Sequence, residues 1–333
     1  MGILHAVTMR LRRGGVQAAG AWGTLLAVSA VTSAGIATAQ GFPSRTITMV
    51  VGYTAGGPTD GVARTLAVDV SARLGQNIVI ENKGGAGGSV AAGALAKAQP
   101  DGYSLLFASA GTYSYFRTLY KSLSYDPVKD IAPVVMIGTI PDVLLVSPKL
   151  PVTTLAELVA WAKANPGKLS VGDSGAGTIP HVVVAAFAQI AGIQVAHLHY
   201  RGAAGSVSDV LGGHIEAAAG AYTPQYDSMK ALAVSWNVRM PQLPNVPTFR
   251  ELGYDLTFGL SIGLAAPAGT PPDVIAKING AVNEFLKGPR GKEISVKLGL
   301  QIVGGTPAEM RAFVDNEAAQ IEPVLKSAKI SID

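Results

Sequence analysis

Gly172-Asp173-Ser174-Gly175 is the string in this chain closest to covalent chemistry, because a Ser in such a turn can present a nucleophilic hydroxyl. A serine nucleophile needs a His base and an acid that orients it. The residues around Ser174 alternate between strand and helix patterns, unlike a protease β-barrel, and Ala176 stands where a Gly-x-Ser-x-Gly elbow needs its second glycine. A hydrolase reading has no support there. Gly85-x-Gly87 lacks the third glycine of a dinucleotide loop, with Val90 in its place, and no phosphate-loop lysine follows any glycine run. His197 and His199 alternate along a predicted strand and so share a face, without a third histidine or a carboxylate at ligand spacing. His214 reads as a surface turn residue. Neither a metal nor a cofactor is expected.

What remains is a set of loops rich in glycine and hydroxyls. In Tyr53-Thr54-Ala55-Gly56-Gly57, the two glycines let backbone amides approach a ligand without Cβ atoms in the way. The helix that follows, with Thr59 in its first turn, aims unpaired N–H groups and its positive end at the loop, a setting suited to a carboxylate. Asp60 is expected to cap that helix, since its charge would repel a bound anion. Ser109-Ala110-Gly111-Thr112 offers hydroxyls and amides after another strand, and Ser174 with Gly175 faces it from a second unit. Thr178 is placed to cap the next helix. His181, one turn in, serves either a structural hydrogen bond or the ligand. Tyr200, Gly202 and Ala203 form a further loop before a helix.

The elements that must carry these loops alternate. Strands are predicted at 46–51, 77–81 and 103–108, with a helix showing Val62, Leu66, Val70 and Leu74 between the first two and an Ala-rich helix between the next two. Such a βαβαβ series argues for a mostly parallel sheet covered on both faces, which binds ligands at the carboxyl ends of its strands. A second α/β unit follows, with strands near 143–146, 169–172, 194–198, 215–219 and 231–235, and helices at 155–164, 178–191 and 206–211. Thr154 with Glu157 and Thr306 with Glu309 read as capping boxes. Pro271-Pro272 opens a helix whose Ile275, Ile278, Val282 and Phe285 share a face. No linker separates two independent halves, so the two units are expected to interleave through extended crossings near 138–146 and 258–266.

Arg10, Arg12 and Arg13 precede an acid-free stretch of small and apolar residues ending in Ala37-Thr38-Ala39. That is the form of an export signal, with cleavage expected after Ala39. The chain carries 26 basic and 22 acidic residues, and the segment 1–39 removes three of the basic ones and none of the acidic, leaving 23 against 22. A nearly neutral body gives no reason to expect nucleic acid or anionic lipid as a partner. The absence of cysteine excludes disulfides, thiolate metal sites and a lipid-modified N-terminal Cys, and together with an export signal fits a freely diffusing protein of the bacterial periplasm.

Several motifs occur in a recognisable order: Phe42-Pro43-Ser44-Arg45, Ala55-Gly56-Gly57-Pro58-Thr59-Asp60, Glu81-Asn82-Lys83, Gly85-Ala86-Gly87-Gly88, Pro100-Asp101-Gly102-Tyr103 and Tyr125-Asp126-Pro127. The series continues through Ala164-Asn165-Pro166-Gly167-Lys168-Leu169, Ser174-Gly175-Ala176-Gly177-Thr178, Tyr200-Arg201-Gly202, Leu243-Pro244, Ala265-Ala266-Pro267-Ala268-Gly269-Thr270-Pro271-Pro272 and Gly304-Gly305-Thr306-Pro307. From about Phe42 to Ile330 the chain resembles the Bug, or TctC-type, receptors. The resemblance implies an α/β, two-lobed periplasmic-binding-protein fold (type II-like). Each lobe is then a central, mostly parallel sheet flanked by helices, with the ligand cleft between, and residues 40–141 plus 263–333 form one lobe and 142–262 the other. It implies a monomeric receptor that catalyses nothing, holds a small organic carboxylate by loop amides and waters, and serves the membrane subunits of a tripartite tricarboxylate-type transporter. A sensor that hands its ligand to a signalling partner shares every one of these features.

Departures from the family pattern bear on the ligand. Ala217-Ala218-Ala219-Gly220-Ala221-Tyr222 contains no acid, where receptors for acidic amino acids resemble one another in placing an Asp, so an amino-acid ligand is disfavoured. Tyr113, Tyr115 and Tyr222 lie in the loops and lean the ligand toward an acid carrying a ring. A turn is missing beside Met229 and Lys230, so the helix before Ala231 is expected to be short.

Overall fold

A computed structural model describes residues 41–332. The export signal expected at 1–39 lies outside them. In chain order the elements are β1 (Ile47–Val51), α1 (Pro58–Leu74), β2 (Ile78–Asn82), α2 (Ser89–Leu95), β3 (Ser104–Ser109), α3 (Phe116–Leu119), β4 (Ile131–Val146), α4 (Leu155–Ala164), β5 (Ser170–Asp173), α5 (Ile179–Ala191), β6 (Ala196–His199), α6 (Ala203–Gly212), β7 (Ala217–Ala221), β8 (Lys230–Ser235), β9 (Gly259–Pro267), α7 (Pro272–Lys287), α8 (Pro289–Leu298), β10 (Gln301–Gly304) and α9 (Pro307–Ser327).

The strands run in the order β2-β1-β3-β9-β4-β7-β5-β6, with β10 and β8 also paired to β4. The outer pairs β1/β2, β1/β3, β5/β6 and β5/β7 are parallel, as the alternation of strand and helix requires. The centre is antiparallel, because β9 returns beside β3 and β4 runs against β9, β7 and β8. The crossings foreseen as extended segments are thus two long, fully paired strands. Over 131–141 β4 pairs with β9, and over 142–146 with β7 and β8, so the switch falls between Pro141 and Asp142.

Helices cover both faces of each half. On the β1/β3/β9 side, α1 and α7 bury Val62, Leu66, Ile278 and Val282 against Met49, Val51 and Ile262, while Ala91, Leu95, Met310 and Val314 cover the opposite face. On the β5/β7 side, α4 and α5 bury Leu158, Val183 and Phe187, and α6 places Val207 and Val210 on the other face. Non-directional burial of this kind supplies most of the driving force for folding. The last helix is shared: Met310 and Val314 pack with the first half, Ile321 and Leu325 with the second, and Ile332 forms a bridge to Tyr120.

Both capping boxes form, Thr154 with Glu157 and Thr306 with Glu309. The segment before β8, where a short helix is expected from the sequence, holds a 3-10 turn, Pro224–Tyr226. The sequence pattern gave no sign of α8 or β10.

Candidate functional site

Between the two halves lies a cavity of about 20 Å³ walled by Tyr53, Thr54, Gly57, Pro58, Thr59, Asp142, Ser174, Pro180, Ala203, Gly220, Ala221 and Leu260. That volume admits little more than one water. Three helices begin at this wall. Gly57 is the N-cap of α1 and, like Pro58 and Thr59, lines it; Pro180 belongs to the first turn of α5; Ala203 is the first residue of α6 after its N-cap Gly202. First-turn N–H groups have no partner within their own helix, and three positive helix ends meeting at one point favour an anion. No Lys or Arg lines the cavity.

Of the residues read from the sequence, Tyr53, Thr54, Gly57, Thr59, Ser174 and Ala203 meet at this wall. The others do not line it. Asp60 is buried; its Oδ2 accepts from the Gly56 amide at 3.0 Å and from Arg64 at 2.8 Å, and its Oδ1 from Asn82 at 2.9 Å. It therefore braces the loop that carries Ala55 and Gly56 without itself capping α1. Ser109, Ala110, Gly111 and Thr112 are buried in a 3-10 turn of their own, Thr112 Oγ1 donating to the Ser109 carbonyl at 2.6 Å. Thr178 Oγ1 donates to the Gly175 carbonyl at 2.7 Å, so its hydroxyl closes the loop rather than capping α5. The Tyr200 hydroxyl is held by Asp209 and that of Tyr222 by Asp227.

His181 is also placed away from the cavity wall. Its Nδ1 accepts from the Gly177 amide at 3.0 Å, and its ring stacks edge-on against His197 and His199 with centroids 4.9 and 4.6 Å away. The fold has brought together the third histidine and the carboxylate that sequence spacing did not supply, since His199 Nδ1 lies 2.9 Å from Asp173 Oδ2. Among the described residues no such group has the arrangement to hold a metal ion. Asp173 raises the His199 pKa, whereas burial, followed by the charges of His199 and His197, depresses that of His181 to about 3. With His181 neutral in the folded state and protonated in the unfolded chain below about pH 6.5, its contribution to stability is lost as pH falls from 6.5 toward 3. His181→Gln, whose amide oxygen can still accept from Gly177, is expected to remove about 2 kcal/mol of the destabilisation between pH 7 and 5, as a difference between urea titrations of the two proteins.

Six lining residues were not among the sequence-read site residues: Pro58, Asp142, Pro180, Gly220, Ala221 and Leu260. The small residues Gly220 and Ala221 at the end of β7 form one wall. Beside them, Asp142 of β4 is paired in register with Ala221, is 2% exposed, and has no hydrogen-bond partner for either carboxylate oxygen among the described residues. The neighbouring strand thus places an acid beside the 217–222 segment, which has none. Its signal in sequence was slight: Asp142 is the one charged residue between Ile131 and Val146.

A belt of close contacts joins loops of the two halves. The Thr54 amide donates to the Arg201 carbonyl at 3.2 Å, and the Tyr120 hydroxyl lies 2.9 Å from the carbonyls of both Ala86 and Ala176. A Cβ on Gly175 would meet the Gly87 nitrogen at 2.7 Å, so at these points backbone packs on backbone.

A sheet in two halves joined through central strands, with helix amino termini converging on the space between them, defines a two-lobed solute-binding protein. The chain belongs to the tripartite tricarboxylate transporter family receptors, whose family profile matches residues 62–330. It is 34% identical to BugT of Bordetella pertussis (strain Tohama I), over 86% of this chain and 91% of that protein. Among solved structures, Rpa4515 of R. palustris with adipate superposes with a TM-score of 0.83 at 32% identity, covering 87% of this chain and 99% of that one. MatC of Rhodopseudomonas palustris with bound malate gives 0.80 at 30% identity, over 85% and 100%.

Proposed function

We propose that this receptor captures a small organic carboxylate in the cleft between its lobes and delivers it to the two membrane subunits of its transporter, without chemical turnover. The observation that carries the reading is the meeting of the α1, α5 and α6 amino termini at one enclosed wall that holds no basic side chain. A carboxylate can be bound there by amides and hydroxyls alone. The adipate and malate held by two relatives of similar fold point to the same ligand class. The lobes are assigned as 40–141 plus 263–333 and 142–262, with α9 reaching from the first onto the second, and they part and close about β4 and β9. Closure requires only that the ligand bind the closed form more tightly than the open one. The receptor acts as a monomer in the periplasm after loss of residues 1–39.

Calorimetric titration of the protein lacking residues 1–39 against aliphatic, aromatic and amino-substituted acids is expected to give one-to-one binding of at least one of them, with no product formed on prolonged incubation. Failure of every acid to bind, or hydrolysis of an ester or amide, would overturn the proposal.

A further inference from the structure

We propose that the ligand carries a protonated amine as well as its carboxylate, and that Asp142 is the residue that receives it. This rests on the reading of the cleft as a carboxylate site and specifies which carboxylates it takes. Asp142 lines the cavity, is 2% exposed, and leaves both carboxylate oxygens without a partner among the described residues. A buried carboxylate in that condition is costly, and the cost is relieved by a cation or by a proton. The wall offers no cation of its own.

The geometry separates the two ways of relieving it. A proton turns one oxygen into a donor and leaves the other still waiting for a partner. An ammonium group has three donors, can serve both oxygens at once, and cancels the charge. Charge balance in the cleft agrees. A ligand with carboxylates alone would leave Asp142 to stay protonated with an oxygen unserved, whereas an amino acid sets its carboxylate at the helix amino termini and its ammonium at Asp142. Burial also holds the Asp142 carboxyl well above the usual carboxylate range, so an incoming cation is what would favour its ionised form. The neighbouring wall is made of Gly220 and Ala221, which leave room for the amine beside the carboxylate. The position is also independent of the 217–222 segment, whose lack of an acid argued against an amino acid.

The test pairs each amino acid with its amine-free counterpart: aspartate with succinate, glutamate with glutarate, 4-aminobutyrate with butyrate, and phenylalanine with 3-phenylpropionate. Each is titrated calorimetrically into the wild type, Asp142→Asn and Asp142→Leu, with thermal melts showing that both variants fold. The expected result is a preference of tenfold or more for the amine in at least one pair, reduced to less than about twofold in both variants. Preference for the amine-free acid in every pair that binds, or an amine preference that survives both substitutions, overturns the assignment and leaves the carboxylate receptor standing. If no member of any pair binds the wild type, the carboxylate reading itself falls, and the amine assignment with it.

Discussion

Gly84→Ala is expected to weaken ligand binding about 30- to 150-fold while leaving the unliganded protein as stable as before. Gly84 adopts no left-handed backbone, and its only close neighbours on adding a Cβ are across the cleft or in the adjoining loop: the Arg201 carbonyl oxygen, nearer than real Cβ atoms come, and the Thr54 nitrogen at 3.1 Å. The Arg201 carbonyl is also the acceptor of the Thr54 amide, so the added methyl wedges a contact of the belt. Overpacking of that kind costs about 2 to 3 kcal/mol. The larger part of the cost, from the Arg201 carbonyl, falls on the closed form, so it shows as a reduced population of the binding-competent state and hence a weaker apparent affinity. Calorimetry gives the affinity, and small-angle scattering with saturating ligand is expected to show an expanded average shape. Unchanged affinity would mean that ligand binding does not need the Arg201 loop to seat against Gly84.

Gly57→Asp should move binding and stability in opposite directions. Gly57 has φ −83° and ψ 172°, ordinary extended geometry, and a Cβ there meets nothing nearer than the Thr54 carbonyl oxygen at 3.9 Å, so the fold itself does not demand glycine. It is an N-cap without a side-chain cap, and Asp is among the best residues for that position. The new carboxylate would accept the first-turn amides and sit favourably at the positive end of α1, adding a few tenths of a kcal/mol or more to stability. Those are the same amides offered to the ligand carboxylate. Losing charge-assisted hydrogen bonds worth about 1.5 to 3 kcal/mol, and adding a like charge, is expected to raise Kd at least about 100-fold. A melting temperature equal to or above that of the wild type, together with lost binding, is the expected pair of results. Retained affinity would remove the start of α1 from the site.

Local signals in this chain were legible because their partners are close in sequence. Thr154 with Glu157 and Thr306 with Glu309 satisfy each other within one helical turn, and both boxes form as written. The alternation of β1, α1, β2, α2 and β3 carried the parallel half-sheets for the same reason. What sequence could not show was how distant segments meet. Asp142 and Ala221 face each other through antiparallel pairing of strands about 80 residues apart, and no spacing rule encodes that register. β10 is four residues long and exists through its pairing with β4 around Gly138, so its own side chains announce little. The hydroxyls of Ser109-Ala110-Gly111-Thr112 looked available for a ligand. In the fold the Thr112 hydroxyl turns back on the Ser109 carbonyl, while Ser109 is buried and does not line the cavity. Whether a hydroxyl serves its own turn or a ligand depends on the loop's conformation, which composition does not determine.

The switch of β4 between its two sets of partners, at Pro141 and Asp142, also bears on the order of events during uptake. A point at a fulcrum is displaced least when the arms around it swing. If the lobes part about β4 and β9 as proposed, the Asp142 wall is in position while the cleft gapes, and a solute can dwell there before either arm moves. Capture then precedes clamping, and in rapid mixing the observed rate should climb with solute concentration and level off at the speed of the swing itself.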